Sequence, residues 1–150
     1  MTEIRKILVP YDLSENLPKI LPYVRSVARA YDSQICLLHV VQDLRRWGKA
    51  YIPHASMDEF QEEAEKEAEK VADRIYEEYL AGFAHVEKKV VSGDPAEEIL
   101  TMVESEDIDL VIMGTHGRKG FERMIMGSVA EKVVKQCAVP VMTIDPAKVG

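Results

Sequence analysis

Short apolar runs alternate along the chain with longer stretches whose apolar residues recur every three or four positions. The first run, Ile4–Pro10, is apolar in its C-terminal half, reads as a strand and is stopped by Pro10. Tyr11-Asp12-Leu13-Ser14 is then a turn. From Leu17 the positions Leu17, Ile20, Leu21, Val24, Val27, Ala28 and Tyr31 repeat at helical spacing. Pro18 suits a first helical turn but Pro22 does not suit an interior, so a late start or a kink is expected there. Ile35–Val41 is nearly continuous in apolar residues, the pattern of a strand covered by helices on both faces.

Gln42–Met57, with Trp47, Gly48 and Pro53, predicts a loop. Ser56-Met57-Asp58-Glu59 offers a capping box for the next helix. In that helix Phe60, Ala64, Ala68, Val71, Ile75 and Tyr79 form an apolar stripe, and Gly82 closes it. Val86–Val91 is a shorter strand. Asp94-Pro95-Ala96-Glu97 is a strong helix start: a capping aspartate, proline at the first position and glutamate three residues on. Leu110–Met113 is a fourth strand, Ser128–Gln136 a fourth helix and Val139–Ile144 a fifth strand. Strands alternating with helices predict one α/β domain over residues 1–150, an open five-stranded parallel sheet with helices on both faces. The order 3-2-1-4-5 makes strands one and four neighbours. Pro140 cannot donate to a ladder, so strand five belongs at an edge.

Composition narrows the function. The chain has 150 residues, is 47% hydrophobic and carries a formal net charge of −7. That balance fits a folded domain and argues against nucleic-acid binding, which needs basic surface. No apolar run approaches the roughly 20 residues needed to span a bilayer, and the N-terminus has no signal-type apolar segment. A membrane role is not expected, and the cytoplasm is the expected location. Cys36 and Cys137 have no CxxC or nearby histidine spacing and read as small hydrophobes. His39 reads as a core histidine, and no protein metal site is expected.

The chemistry gathers in one stretch, Leu110–Val129. An apolar strand is followed by glycines at 114, 117 and 120, by Arg118, Lys119 and Arg123, and by Gly127-Ser128 at a helix start. Glycine lets backbone approach a ligand, and a helix start offers free N–H groups and the positive end of its dipole. Ser128 can cap the helix and donate its hydroxyl to a phosphate oxygen, beside the amide of Val129. Local basic charge in an acidic protein favours an anion. Ligands of open parallel sheets sit beyond strand C-termini where the order reverses, which places Asp12 across the same crevice. Asp12 could equally cap the helix after it, and His116 could be a loop residue at the surface. The P-loop and dinucleotide glycine patterns are both absent.

The spacing Gly114-x2-Gly117-x9-Gly127-Ser128 resembles that of the nucleotide-binding members of the universal stress protein family. So do the Lys-Ile-Leu-Val-Pro-Tyr-Asp opening, Leu-Leu-His-Val-Val, Ser-Gly-Asp-Pro, Asp-Leu-Val-Ile-Met-Gly and Cys-Ala-Val-Pro-Val. The resemblance implies a Rossmann-like domain that binds ATP, with any Mg2+ carried by the phosphates. It implies Asp12, beside Pro10 and Val41, at the adenine or ribose end. Gly114, His116, Gly117, Gly127, Ser128 and Val129 would cradle ribose and phosphates, with Arg118 nearby. It also implies a regulatory or protective role in the stress response and a homodimer; an apolar edge strand at 139–144 suits such pairing. The alternatives are a slow ATPase using the same site, with His116 and Arg118 or Lys119 as its candidate groups, and a dimeric interaction module that binds no nucleotide.

Overall fold

The strand order is set by where each apolar run can be covered. β1 (Lys6–Tyr11), β2 (Gln34–Gln42), β3 (Val86–Gly93), β4 (Leu110–Gly114) and β5 (Val141–Ile144) form one sheet in the order β3-β2-β1-β4-β5, and every pairing is parallel. The helices are α1 (Leu17–Tyr31), α2 (His54–Ile75), α3 (Pro95–Ser105) and α4 (Ser128–Gln136). This computed structural model describes residues 2–14, 16–43, 54–116 and 126–149, with side chains of the second helix from Met57 onward. Gly117, Arg118, Lys119, Gly120 and Arg123, like Trp47 and Pro53, lie outside the described residues.

Side chains of successive strand residues point to opposite faces, and both faces are packed. Ile7 and Val9 of β1, Ile35 and Leu37 of β2 and Ile112 of β4 are buried with Leu17, Ile20, Leu21 and Val24 of α1, on the face that α2 also covers. Leu8, Cys36, Leu38, Val40, Val111 and Met113 turn the other way, onto Ile99, Met102 and Val103 of α3 and Ala130 and Val133 of α4. Each fully covered Leu or Ile contributes about 1.5–3 kcal/mol relative to leaving it in water. The centre of the sheet therefore cannot shift register, because a slip of one residue would exchange the two faces. Asp109 fixes the lower end. Its Oδ2 accepts from the amides of Arg5 and Lys6 at 2.9 and 3.0 Å, which starts β1 beside β4.

Pro22 lies inside α1 without ending it. The helix does not start late: it runs from Leu17 through Pro22. Pro22 is exposed, so the Pro18 carbonyl that loses its partner lies on the solvent side of the helix. The second helix begins at His54, two residues before the expected capping box, so Ser56 falls in its first turn. It ends in a π-helical turn, Tyr76–Leu80. The start of α3 is as expected: Oδ2 of Asp94 accepts from the Glu97 amide at 3.0 Å, a cap worth about 1 kcal/mol.

β5 occupies one edge of the sheet as expected, but it begins at Val141 and not at Val139, so Pro140 stands just before it. β3 occupies the other edge and carries Glu87, Lys88 and Lys89, charges that blunt an open strand. Glu106, at the end of α3, accepts from Lys89 and from Lys6 across the β3–β2–β1 surface. The Lys89 hydrogen bond holds the Glu106 carboxyl below the usual carboxylate range. Cys36 beneath them is fully buried, and burial pushes its thiol up to about 11, so it stays a neutral small hydrophobe. Both cysteines are free. Among the described residues no helix is long and apolar enough to cross a membrane.

Candidate functional site

The sheet reverses between β1 and β4. From β1 the chain moves outward to β2 and β3; from β4 it moves outward the other way, to β5. The helices that follow β1 and β4, α1 and α4, lie on opposite faces of the sheet, the arrangement in which open α/β sheets hold ligands beyond their strand C-termini. Pro10 is buried in β1, and Asp12 follows one residue after that strand ends. Val41 stands near the end of β2 and is half-buried.

Asp12 does not cap α1. Its Oδ1 accepts from the Ser14 amide at 3.0 Å, an Asx turn that reverses the chain, and Asn16 takes the N-cap position without a capping side-chain bond. Nδ2 of Asn16 is free to reach across the crevice, where it donates to the His116 carbonyl at 3.4 Å. One hydrogen bond thus joins the loop after β1 to the loop after β4. His39 locks the same corner: its Nδ1 lies 3.0 Å from the Tyr11 carbonyl and donates to it. It is the satisfied core histidine expected from the sequence. Burial pushes the Tyr11 phenol up to about 12, so it stays neutral.

Beyond β4, Thr115 is held from both sides. Its amide donates to the Ile144 carbonyl of β5 at 2.9 Å, and its carbonyl accepts from the Gly127 amide at 2.7 Å. The second bond sets the first turn of α4 directly above β4. Gly127 is the N-cap, with φ −57° and ψ 152°, and no side chain caps this helix start. Ser128 is accordingly the first helical residue and not the expected cap. Its side chain is exposed, and the amides of Ser128 and Val129 fall in the turn whose N–H groups lack intrahelical partners. Such a start favours an anion through its N–H groups and its dipole.

Gly114 has a different reason to be glycine. A Cβ there would stand 2.9 Å from Cδ1 of Ile20 and 3.6 Å from the His116 carbonyl oxygen. A side chain there would have to displace the tip of Ile20 on α1. This first glycine of the motif answers a packing demand on the scaffold side of the crevice.

The side chain of His116 is largely enclosed, 11% exposed. Nδ1 lies 2.7 Å from Oγ1 of Thr115 and 3.8 Å from Oδ1 of Asp145. Nε2 is buried and, among the described residues, without a hydrogen-bond partner. A buried ring nitrogen left open in this way costs free energy unless a ligand or water meets it. Asn16, Thr115 and Asp145 were not found from the sequence. Asp145 follows β5 as Asp12 follows β1, and that position beyond a strand end was the available signal. Among the described residues no cluster of three histidine, cysteine or acidic side chains could hold a metal ion.

The fold defines a doubly wound α/β domain whose strand order reverses between β1 and β4. The family model described as "Universal stress protein family" matches residues 3–145, and the chain belongs to that family. Universal stress protein MJ0577 of Methanocaldococcus jannaschii is 31% identical over 153 residues, covering 93% of this chain and 94% of the relative. The solved MJ0577 structure superposes with a TM-score of 0.84 at 29% identity, over 96% of this chain and 97% of that one. UspA from Lactobacillus plantarum gives 0.80 at 24% identity, over 96% and 99%. The Archaeoglobus fulgidus universal stress protein in complex with dAMP gives 0.62 at 19% identity, over 96% and 100%, a likeness of fold.

Proposed function

We propose that this protein binds an adenine nucleotide, ATP, across the ends of β1 and β4, and acts in the cytoplasm as a nucleotide-dependent regulatory or protective protein of the stress response. The observation that carries the reading is the start of α4. It is a helix N-terminus without a side-chain cap, anchored by the Gly127–Thr115 hydrogen bond at the reversal of the sheet. Phosphate is the ligand chemistry such a start suits best. In this reading Ser128 and Val129 hold phosphate oxygens, with Gly117 and Arg118 on the same loop, and Mg2+ arrives on the phosphates. The unpartnered Nε2 of His116 accepts from a hydroxyl of the ribose, and Asp12, Pro10 and Val41 border the base. Gly114 supports the cradle from below.

The reading assigns holding rather than hydrolysis. Water attack on a phosphate needs a placed base and charge stabilisers. The one imidazole in the described crevice is turned with Nδ1 on Thr115 and Asp145. The proposal includes a homodimer through β5, whose Met142 is 38% exposed on an edge strand.

Isothermal titration of the full chain tests it. Mg-ATP is expected to bind once per chain, at least about tenfold more tightly than Mg-GTP. The absence of ATP binding at millimolar concentration would remove the nucleotide role and leave the interaction module.

A further inference from the structure

Among the described residues, the second helix leaves apolar surface uncovered at Phe60. Its buried side, Met57, Ala68, Ala72 and then Leu80, packs onto the sheet, with Gln61 donating to Oγ of Ser92 at 2.9 Å. The stripe expected to face the core is mostly a different one. Phe60 is turned outward and 58% exposed, Ala64 and Val71 are half-buried, and Ile75 and Tyr79, also half-buried, pack against the core beside α1. This second stripe runs for about 22 Å from Phe60 to Ile75, at 1.5 Å per residue.

The C-terminal part of the stripe, Val71, Ile75 and Tyr79, borders a groove against α1. At one end the helices are closed together, where Arg25 donates to the Tyr79 carbonyl at 3.3 Å and the Arg29 guanidinium lies 5.3 Å over the Phe83 ring. At the other end a cleft of about 240 Å3 opens between the Asp12–Ser14 turn, Leu17 and Pro18 on one side and Val71, Ile75 and Tyr79 on the other, so it adjoins the Asp12 corner of the candidate site. Its lining is almost wholly apolar, and Leu13 stands 39% exposed at its mouth. Pockets for whole small molecules run to about 300–1,000 Å3, so this cleft suits an anchoring side chain better.

Charge selects the occupant. Asp58–Glu78 carries ten acidic and three basic residues, a net of −7 that equals the charge of the whole chain. Beside the stripe Glu63, Glu67 and Glu78 are exposed. A second copy would bring the same negative face, and an anionic lipid or nucleic acid would be repelled as well. We propose that the groove between α1 and the second helix docks a basic amphipathic helix of a protein partner. Its apolar anchors fill the cleft and cover Phe60, and its Lys and Arg side chains meet the acidic flank.

The test uses the full chain and three labelled peptides of about 16 residues. One has Leu at every third or fourth position and Lys elsewhere. One has the same composition scrambled so that Leu surrounds the helix, and one has Glu in place of Lys. Fluorescence anisotropy is expected to show the first binding at least about tenfold more tightly than either control. Phe60→Ser, at an exposed position, should weaken it about tenfold, and the pair Glu63→Gln and Glu67→Gln should weaken it and flatten its salt dependence. Equal affinity for the scrambled peptide would reduce the effect to bulk charge and overturn the proposal, as would no binding at all. Binding gained only when residues 44–53, which include Arg45, Arg46, Trp47 and Lys49, are replaced by a Gly/Ser linker would assign the groove to the chain's own basic stretch.

Discussion

Gly127→Val is expected to abolish ATP binding, by about a hundredfold or more, while the domain stays folded. The backbone at Gly127 has a negative φ and an extended ψ, a conformation that every residue adopts and that β-branched residues favour. Conformation therefore gives no reason for glycine here. In the proposed complex the reason is close approach, since a ligand on the amides of Ser128 and Val129 passes over the N-cap. Two isopropyl methyls at that point would hold the phosphates off the helix start. Loss of two charge-assisted hydrogen bonds, at about 1.5–3 kcal/mol each, corresponds to at least about a hundredfold in affinity. The bond from residue 127 to the Thr115 carbonyl is a backbone bond that valine keeps. Titration calorimetry measures the affinity and thermal unfolding the fold. A variant that binds ATP within about threefold of the parent would remove the cradle from this helix start.

Ile112→Ala is expected to destabilise the domain by about 3–4 kcal/mol. Ile112 is fully buried on β4, packed with α1 on the face that continues to Gly114. Its removal leaves a cavity that neighbours fill only in part, because both strands beside β4 are fixed in register. For a chain of this length such a loss lowers Tm by roughly 10 °C. That is a large share of the about 5–15 kcal/mol that holds a domain together. Since β4 carries the crevice at its end, ATP should restore part of the lost Tm by mass action. A Tm within about 3 °C of the parent would mean that the core on this face is not close-packed.

Much of this architecture was legible in the sequence because it depends on local signals. Asp94-Pro95 and Ser128 mark helix starts that the structure keeps, and Leu110 begins β4 as expected. The sheet order followed from alternating strands and helices together with Pro140 at an edge. What could not be read depends on partners distant in the chain. Pro22 breaks no helix because of which side of α1 meets water. The apolar stripe of the second helix was offset from its buried side, because the sequence does not tell which of two adjacent apolar stripes meets a sheet and which a neighbouring helix.

The crevice divides in the same way. Gly127 and Ser128 were found through spacing, and the structure sets them above β4. Asp12 offered two local roles, and the Asx turn to Ser14 replaced the helix cap. The parts that join the two loops were invisible, since Asn16 reaches His116 across a hundred residues of chain, and Asp145 reaches it from β5. Gly114 was read as part of a phosphate loop, but its close neighbour is Ile20. That contact exists only once α1 lies over β4.

The account rests on a nucleotide lying between the ends of β1 and β4, and amide chemical shifts of 15N-labelled protein measure this most directly. Titration with Mg-ATP is predicted to move the amides of Ser128, Val129, Thr115 and His116 most strongly, with Asp12 following and the Lys6–Glu106 surface unmoved. Saturating ATP that leaves Ser128 and Val129 in place, or that moves only residues remote from these two strand ends, would contradict it.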